Sequence, residues 1–219
     1  MKQSARDAIL NRLYNAAANN GQECSADSIN MQAQEMLRNS PHAPLASSDP
    51  IEAFIARIAN GHVIGTSCST LSSVQELPAA VKSYLQEHKL GEDIGIQELP
   101  LFTALDWQGL NNTGPQLDGL EDGLTSLSYA DFGIAETGSV VFHSGENRPV
   151  LLNFLSLHQM IVIHADNILS LLDDYAKNVD TVAPPRNTIW ITGASGTTDI
   201  EGVLVQGAHG PCFVHIFII

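Results

Sequence analysis

The sequence predicts an α/β domain built on a mostly parallel sheet, preceded by a helical extension. Three observations predict it. Runs of strand length, Met160–Ile163, Thr188–Thr192 and Phe213–Ile219, are apolar on successive positions, as in strands buried on both faces. Segments of helical periodicity separate these runs, and β/α alternation places parallel strands in one sheet with helices over them. The stretch from Asn19 to Asp49 is instead rich in Asn, Ser, Gln and Pro, the composition of an extension or linker. The organisation read from this is a partly mobile helical extension over residues 1–48 and an α/β domain over 49–219.

The elements follow in order. Ala5–Ala18 carries Ile9, Leu10, Leu13, Tyr14 and Ala17 at helical spacing, with Ser4 able to cap it, and Ser28–Leu37 is a second short helix. Asp49-Pro50 has the chemistry of an N-cap followed by proline at the first helical position, opening a helix to Ala59 that buries Ile51, Phe54, Ile55 and Ile58. The apolar run His62-Val63-Ile64, a polar turn and a helix over Val74–His88 give the first β/α alternation. The Leu-Asp-Gly repetitions between Leu117 and Leu124 lack the alternating acids and closing Glu of a calcium loop, so they read as solvated turns. Beyond them come a strand Ala130–Glu136, a turn at Thr137-Gly138, a strand Ser139–Phe142, a short helix near Arg148-Pro149 and the strand Met160–Ile163. A helix Ile168–Ala176, the strand Thr188–Thr192, a short helix starting near Thr198 and the closing strand Phe213–Ile219 complete the chain.

Composition excludes several functions. Ten basic against twenty-four acidic residues give a formal charge of −14, which repels nucleic acid and anionic membranes on average, and no cluster of Lys and Arg offsets it. No apolar run approaches the ~20 residues of a bilayer span. The polar start shows no signal core, so a cytoplasmic location is expected. Cys24, Cys68 and Cys212 are too few and too scattered for a disulfide framework or an iron–sulfur cluster, and the eight histidines show no tight ligand spacing. No metal or cofactor is expected in this chain.

The segment Thr192-Gly193-Ala194-Ser195-Gly196-Thr197-Thr198-Asp199-Ile200-Glu201 combines a strand end, a turn rich in glycine and hydroxyls, and an expected helix start. Unsatisfied N–H groups at such a start, with the hydroxyls of Ser195, Thr197 and Thr198, would receive an anionic or hydroxylated ligand. The plainer alternative is a capping box of Thr198 and Glu201. A hydrolase elbow is disfavoured because Thr197 stands where the second glycine of G-x-S-x-G belongs, despite the order Ser195, Asp199, His209. His209 lies in the tight loop Gly207–Pro211 and is the better site histidine, whereas His215, inside an apolar strand, reads as a hydrogen-bonded core residue. Glu136 ends an apolar strand, where it would serve as base, nucleophile or ion-pair partner of the turn.

Three segments in this order carry a resemblance. Ala130-Asp131-x-x-Ile134-Ala135-Glu136-Thr137-Gly138-Ser139 resembles the ADxxIAETG(S/T) signature of the LUD-domain family, of the lactate-utilisation protein C type. Ser195-x-Thr197-x-Asp199-Ile200-Glu201 resembles its SxTxDIE, and Gly207-x-His209-Gly210-Pro211 its GxHGP. The resemblance spans residues 49–219. It implies a three-layer α/β/α fold similar to the ribose-phosphate isomerase and CoA-transferase group. It also implies an accessory role in a cytoplasmic L-lactate oxidation system, with iron–sulfur clusters in partner proteins. The alternative is a stand-alone enzyme or small-molecule binding module using Glu136 and the Ser195–Glu201 loop. The site residues it implies are Glu136 as a catalytic group, with Thr137, Gly138, Ser195, Thr197, Thr198, Asp199, Glu201, His209, Gly210 and Pro211 about a ligand. Gly196 and Cys212 stand where the family usually carries basic residues. Both departures remove positive charge, leaving Arg148 as the expected nearby cation.

Overall fold

The structure is a computed structural model that describes residues 6, 9–12, 14–15, 25–38, 42–114, 125–145, 148–179, 184–198 and 201–219. Much of the expected helix Ala5–Ala18, and all of the glycine-rich turns Leu117–Leu124, lie outside these. The chain divides into two compact units, residues 1–41 and 42–219. In the first, helix α1 (Ala26–Arg38) covers the expected Ser28–Leu37 and starts on Ser25, whose Oγ accepts a hydrogen bond from the Ser28 N–H.

In the second unit, helix α2 (Pro50–Ala59) begins as expected, with the Asp49 carboxylate accepting from the Ile51 N–H at 2.8 Å. The first strand lies elsewhere than expected. Val63 and Ile64 sit in a turn, and β1 is the polar stretch Thr66–Thr70. Small β-branched and hydroxyl side chains suffice there because β1 is an edge strand with a single neighbour. Helix α3 (Leu77–Glu87) follows a single 3-10 turn, Val74–Glu76, and then come β2 (Asp93–Ile96), α4 (Pro100–Thr103), β3 (Asn111–Asn112) and β4 (Thr125–Tyr129).

The remaining elements are β5 (Phe132–Ile134), β6 (Ser139–His143), α5 (Leu152–Leu155), β7 (His158–Ile163), β8 (Ile168–Leu169), α6 (Leu172–Asn178), β9 (Thr188–Ile191), β10 (Gly196–Thr198), β11 (Leu204–Gln206) and β12 (Phe213–Ile218). The expected helix Ile168–Ala176 therefore starts four residues late. Ile168 and Leu169 are drawn into strand pairing with Gly133 and Ile134, and the helix begins only after that ladder ends.

Six strands in the order β1-β12-β7-β4-β2-β3, all parallel, form the central sheet. Its two faces carry separate cores. Met160, Val162, Leu127, Ile94, Ile96 and Phe217 pack against Leu77, Val81 and Leu85 of α3 and Phe102 of α4. On the other face Ile161, Ile163, Val214, Ile216 and Ile218 meet Ala53, Phe54 and Ile58 of α2 together with Ala130, Val140, Phe142 and Ile191. The last four belong to or adjoin a second sheet of order β8-β5-β6-β9. The mixed α/β architecture with a parallel central sheet covered on both faces is thus the expected one, and one cover is α2 plus a small sheet. Successive residues of β7 and β12 point into different cores, which explains why both strands are apolar at nearly every position.

Candidate functional site

The segment after β9 is a hairpin. Gly193 turns the chain with a φ of +81°, and β10 pairs antiparallel with β11, Gly196 opposite Gln206, Thr197 opposite Val205 and Thr198 opposite Leu204. The expected helix start at Thr198 is overturned, because Gly196–Thr198 pairs as a strand. The physical reason is local: Thr197, Thr198, Val203 and Val205 are β-branched residues that prefer a pleated ribbon to a helix turn. Thr197, Thr198, Glu201 and His209 are all exposed, and Asp199 lies outside the described residues.

The turn Val63–Gly65 ahead of β1 receives the first motif at Gly138 and residues 193–194 just before the second, and the third motif packs on Ser195 of the second. The Ala194 N–H donates to the Ile64 carbonyl at 2.8 Å, and the Ser195 N–H to the Pro211 carbonyl at 2.7 Å. A Cβ on Gly193 would lie 2.8 Å from the Ile64 carbonyl oxygen and 2.8 Å from Val63 Cγ1, and one on Gly138 would lie 2.7 Å from Val63 Cγ2. Gly138, at φ +72°, and Gly193 are therefore required twice over, by backbone conformation and by close approach. A chain of hydroxyls joins the first two motifs: Thr137 Oγ1 to Ser139 Oγ at 2.7 Å and Ser139 Oγ to Thr192 Oγ1 at 2.6 Å. Gly210 approaches Ser195, its Cβ position 3.2 Å from the Ser195 Cβ. Gly193→Ala is expected to cost about 2 kcal/mol, read as a lowered midpoint in urea denaturation. An unchanged midpoint would contradict the close-approach account.

Glu136 does not join that cluster. Its Oε1 accepts from the Ala43 N–H at 3.0 Å and lies 3.3 Å from His42 Nδ1, while Oε2 accepts from the Leu172 N–H at 2.9 Å. Burial opposes its ionisation, but these hydrogen bonds prevail and hold the carboxyl below the usual carboxylate range. It fastens residues 42–43 and the start of α6 to the β5–β6 turn. Acting as nucleophile or base, it would have to give up these bonds. Arg148 is committed too. Its Nη1 donates to Asp131 Oδ1, Nη2 to Asp131 Oδ2 at 2.9 Å and to the Tyr129 carbonyl at 3.0 Å. Its charge is balanced there, in a cleft of about 360 Å³ formed with Leu99, Pro100, Leu101, Tyr129 and His164 at the carboxyl ends of β2, β4 and β7.

A larger cleft, about 740 Å³, opens at the amino ends of β1 and β12. The Val63–Gly65 turn, Thr66, Ser67, Cys68, Tyr84, His88, Phe213 and Val214 are among its lining residues. Beside it lies an array that sequence reasoning reached only in part, at His215. His215 Nδ1 is 2.7 Å from Ser67 Oγ and Nε2 3.0 Å from Ser69 Oγ, and the Tyr84 hydroxyl is 3.0 Å from His158 Nδ1. Tyr84 stacks on His88 with centroids 4.0 Å apart. Burial drives the His215 pKa down to about 4, helped by the neighbouring His88, lowers that of His158 for the same two reasons, and pushes the Tyr84 phenol up to about 12 with aid from Glu87. Alternate residues of β1 and β12 and two residues four apart at the end of α3, Tyr84 and His88, contribute here, and no short motif in the sequence marks such a cluster.

Residues 120–219, which contain all three motifs and the strands from β4 to β12, match the LUD domain. This part of the chain is a LUD domain. A lactate utilization protein C of Deinococcus radiodurans is 25% identical to it over 193 residues, 81% of this chain and 82% of the relative. One from Bacillus pumilus is 24% identical over 160 residues, 63% and 66% of the two chains. Among solved structures, a DUF162 family protein from Deinococcus radiodurans superposes with a TM-score of 0.57 at 21% identity, covering 80% of this chain and 99% of that one. That likeness concerns the fold. The family match starts at residue 120, but the parallel sheet of this LUD-domain protein also needs β1 and β2, which precede it.

Proposed function

We propose that this LUD-domain protein is an accessory component of a lactate-utilisation system, working in the cytoplasm beside iron–sulfur partner proteins. The observation that carries the reading is the similarity over 81% of the chain to a lactate utilization protein C. A surface suited to a partner supports it. Residues 149–165 and 202–219 contain no Asp, Glu, Lys or Arg, in a chain of formal charge −14. Leu151, Phe154, Leu155, Leu157, Val203, Leu204, Val205 and Phe213 of these stretches are exposed. Backbone bonds from Cys212 and Phe213 to the Leu157 carbonyl hold the two stretches side by side. Exposed apolar side chains on stretches without charge suit a site of association, and a two-stranded ribbon such as β10–β11 is marginal until something packs on it.

Co-expression with the iron–sulfur proteins of its lactate system should yield a complex on native purification. Leu204→Asp combined with Phe154→Asp should release it without unfolding the chain. A chain that never associates with them, and whose loss leaves growth on L-lactate intact, would exclude the reading. Glu136→Gln is expected to leave growth on L-lactate unchanged and to cost about 1 kcal/mol of stability, since one charged acceptor becomes a neutral amide. Loss of growth with normal stability would instead give Glu136 a chemical role.

A further inference from the structure

We propose that the cleft between residues 44–46, helix α2 and Ala135 binds a small monocarboxylate through Arg57, with Asn60 and His62 beside it. The cleft is about 280 Å³ and is lined by Pro44, Leu45, Ala46, Ala53, Arg57, Asn60, His62 and Ala135. Arg57 is half-buried, and among the described residues its guanidinium has no hydrogen bond or ion pair. Among the described residues Arg148 and Lys177 are the only Lys or Arg side chains paired with a carboxylate, and Arg57 is the unpaired cation that lines this cleft.

A position in the last turn of α2 favours a cation through the helix dipole. The planar fork of an arginine pairs bidentately with a carboxylate, and Asn60 and His62 supply further donors to a hydroxyl or oxo group. Pro44, Leu45, Ala46, Ala53 and Ala135 provide an apolar wall for a short carbon chain. The volume falls just below the ~300–1,000 Å³ of pockets for drug-sized ligands, which suits a ligand of a few carbons.

The motif Glu136-Thr137-Gly138-Ser139 bears on this cleft directly. A Cβ on Gly138 would lie 3.0 Å from Arg57 Cγ, so the turn fixes the path of the arginine stem. Glu136, one residue away, keeps its carboxylate on His42, Ala43 and Leu172 and does not neutralise Arg57. The choice of a 2-hydroxy or 2-oxo acid as ligand rests on the lactate reading above, whereas an anion site at Arg57 rests on the geometry alone.

The test is calorimetric titration of the full chain, without partners, with L-lactate, pyruvate and inorganic phosphate, accompanied by thermal unfolding. L-Lactate or pyruvate is expected to bind and to raise Tm. Arg57→Gln should weaken binding by about tenfold or more, with Arg57→Lys and His62→Ala intermediate. The unliganded far-UV spectrum of each variant reports its folding, and if Arg57→Gln does not fold, Arg57→Lys and His62→Ala decide the question. Absence of binding by any of the three probes, or carboxylate binding that survives all the variants, overturns the site. Binding of phosphate alone overturns its assignment to a carboxylate. Because no partner is present, failure here is distinct from failure of the chain to assemble with iron–sulfur proteins.

Discussion

Lowering the pH from 7 to 4 is expected to remove about 3 kcal/mol of folding stability through His215 alone. In the folded chain its pKa is about 4, against an ordinary value of 6.5. The unfolded chain therefore takes up the proton first as pH falls, and stability that is complete above pH 6.5 is lost progressively down to about 4; the shift converts to about 3 kcal/mol. The surroundings explain why the neutral ring is preferred. Ser67 and Ser69 of β1 bond both ring nitrogens, Tyr84 of α3 lies over the ring at 5.1 Å between centroids, Phe217 flanks it at 4.6 Å, and His88 repels a second positive charge. His158 acts in the same direction, for burial and His88 lower it as well. The carboxyls of Glu136 and Asp174, held below their ordinary 4.5 and 3.8, begin to add losses only as pH falls through those values, so the upper part of the window, from pH 7 to 5.5, belongs to the histidines. Urea denaturation at pH 7, 5.5 and 4 measures the effect. His215→Gln, which can keep one serine hydrogen bond, should flatten the profile in that window. An equally steep profile in the variant would assign the acid sensitivity elsewhere.

The sequence made the sheet legible and the site largely illegible, for separable reasons. Met160–Ile163 and Phe213–Ile218 could be read as parallel strands because a strand between two cores is apolar on both sides, and nothing else short looks like that. Thr66–Thr70 could not, because an edge strand with serine and threonine facing a histidine carries no hydrophobic signature. Asp49-Pro50 fixed the start of α2 because capping is local chemistry. Thr197–Thr198 misled because hydroxyl and acid at capping-box spacing also fit a β-branched ribbon, and only pairing with Leu204–Gln206 decides between them. The motifs matched the LUD domain, yet Gly138 of the first serves the approach of Val63, a contact across more than seventy residues of sequence that no local pattern encodes. Arg57 was passed over for the opposite reason: within a helix it is an ordinary surface cation, and only the tertiary fold shows that it lacks an acid.

Gln159→Leu is expected to cost about 4 kcal/mol, although it places a hydrocarbon of similar size next to the apolar run Met160–Ile163 of the same strand. Gln159 is fully buried on β7, directly across from Ser126 of β4. Its Oε1 accepts from Ser126 Oγ at 2.9 Å and Ser156 Oγ at 2.8 Å, and its Nε2 donates to Ser128 Oγ at 2.7 Å and Asn153 Oδ1 at 3.0 Å. All four partners are themselves buried. After the substitution Ser126 and Ser156 keep each other at 2.8 Å, but Asn153 and Ser128 lose their partner inside the protein. Each orphaned buried group costs about 1–3 kcal/mol, beyond what the added leucine methyls return. The network also ties the Leu152–Ser156 segment to the sheet, so its loss should loosen the apolar surface proposed to meet a partner. Hydrogen exchange would show faster exchange at Asn153–Leu157 in the variant, alongside the lowered urea midpoint. A variant as stable as the parent, with unaltered exchange there, would mean that the side chains re-pair within the core and that Gln159 is a dispensable part of it.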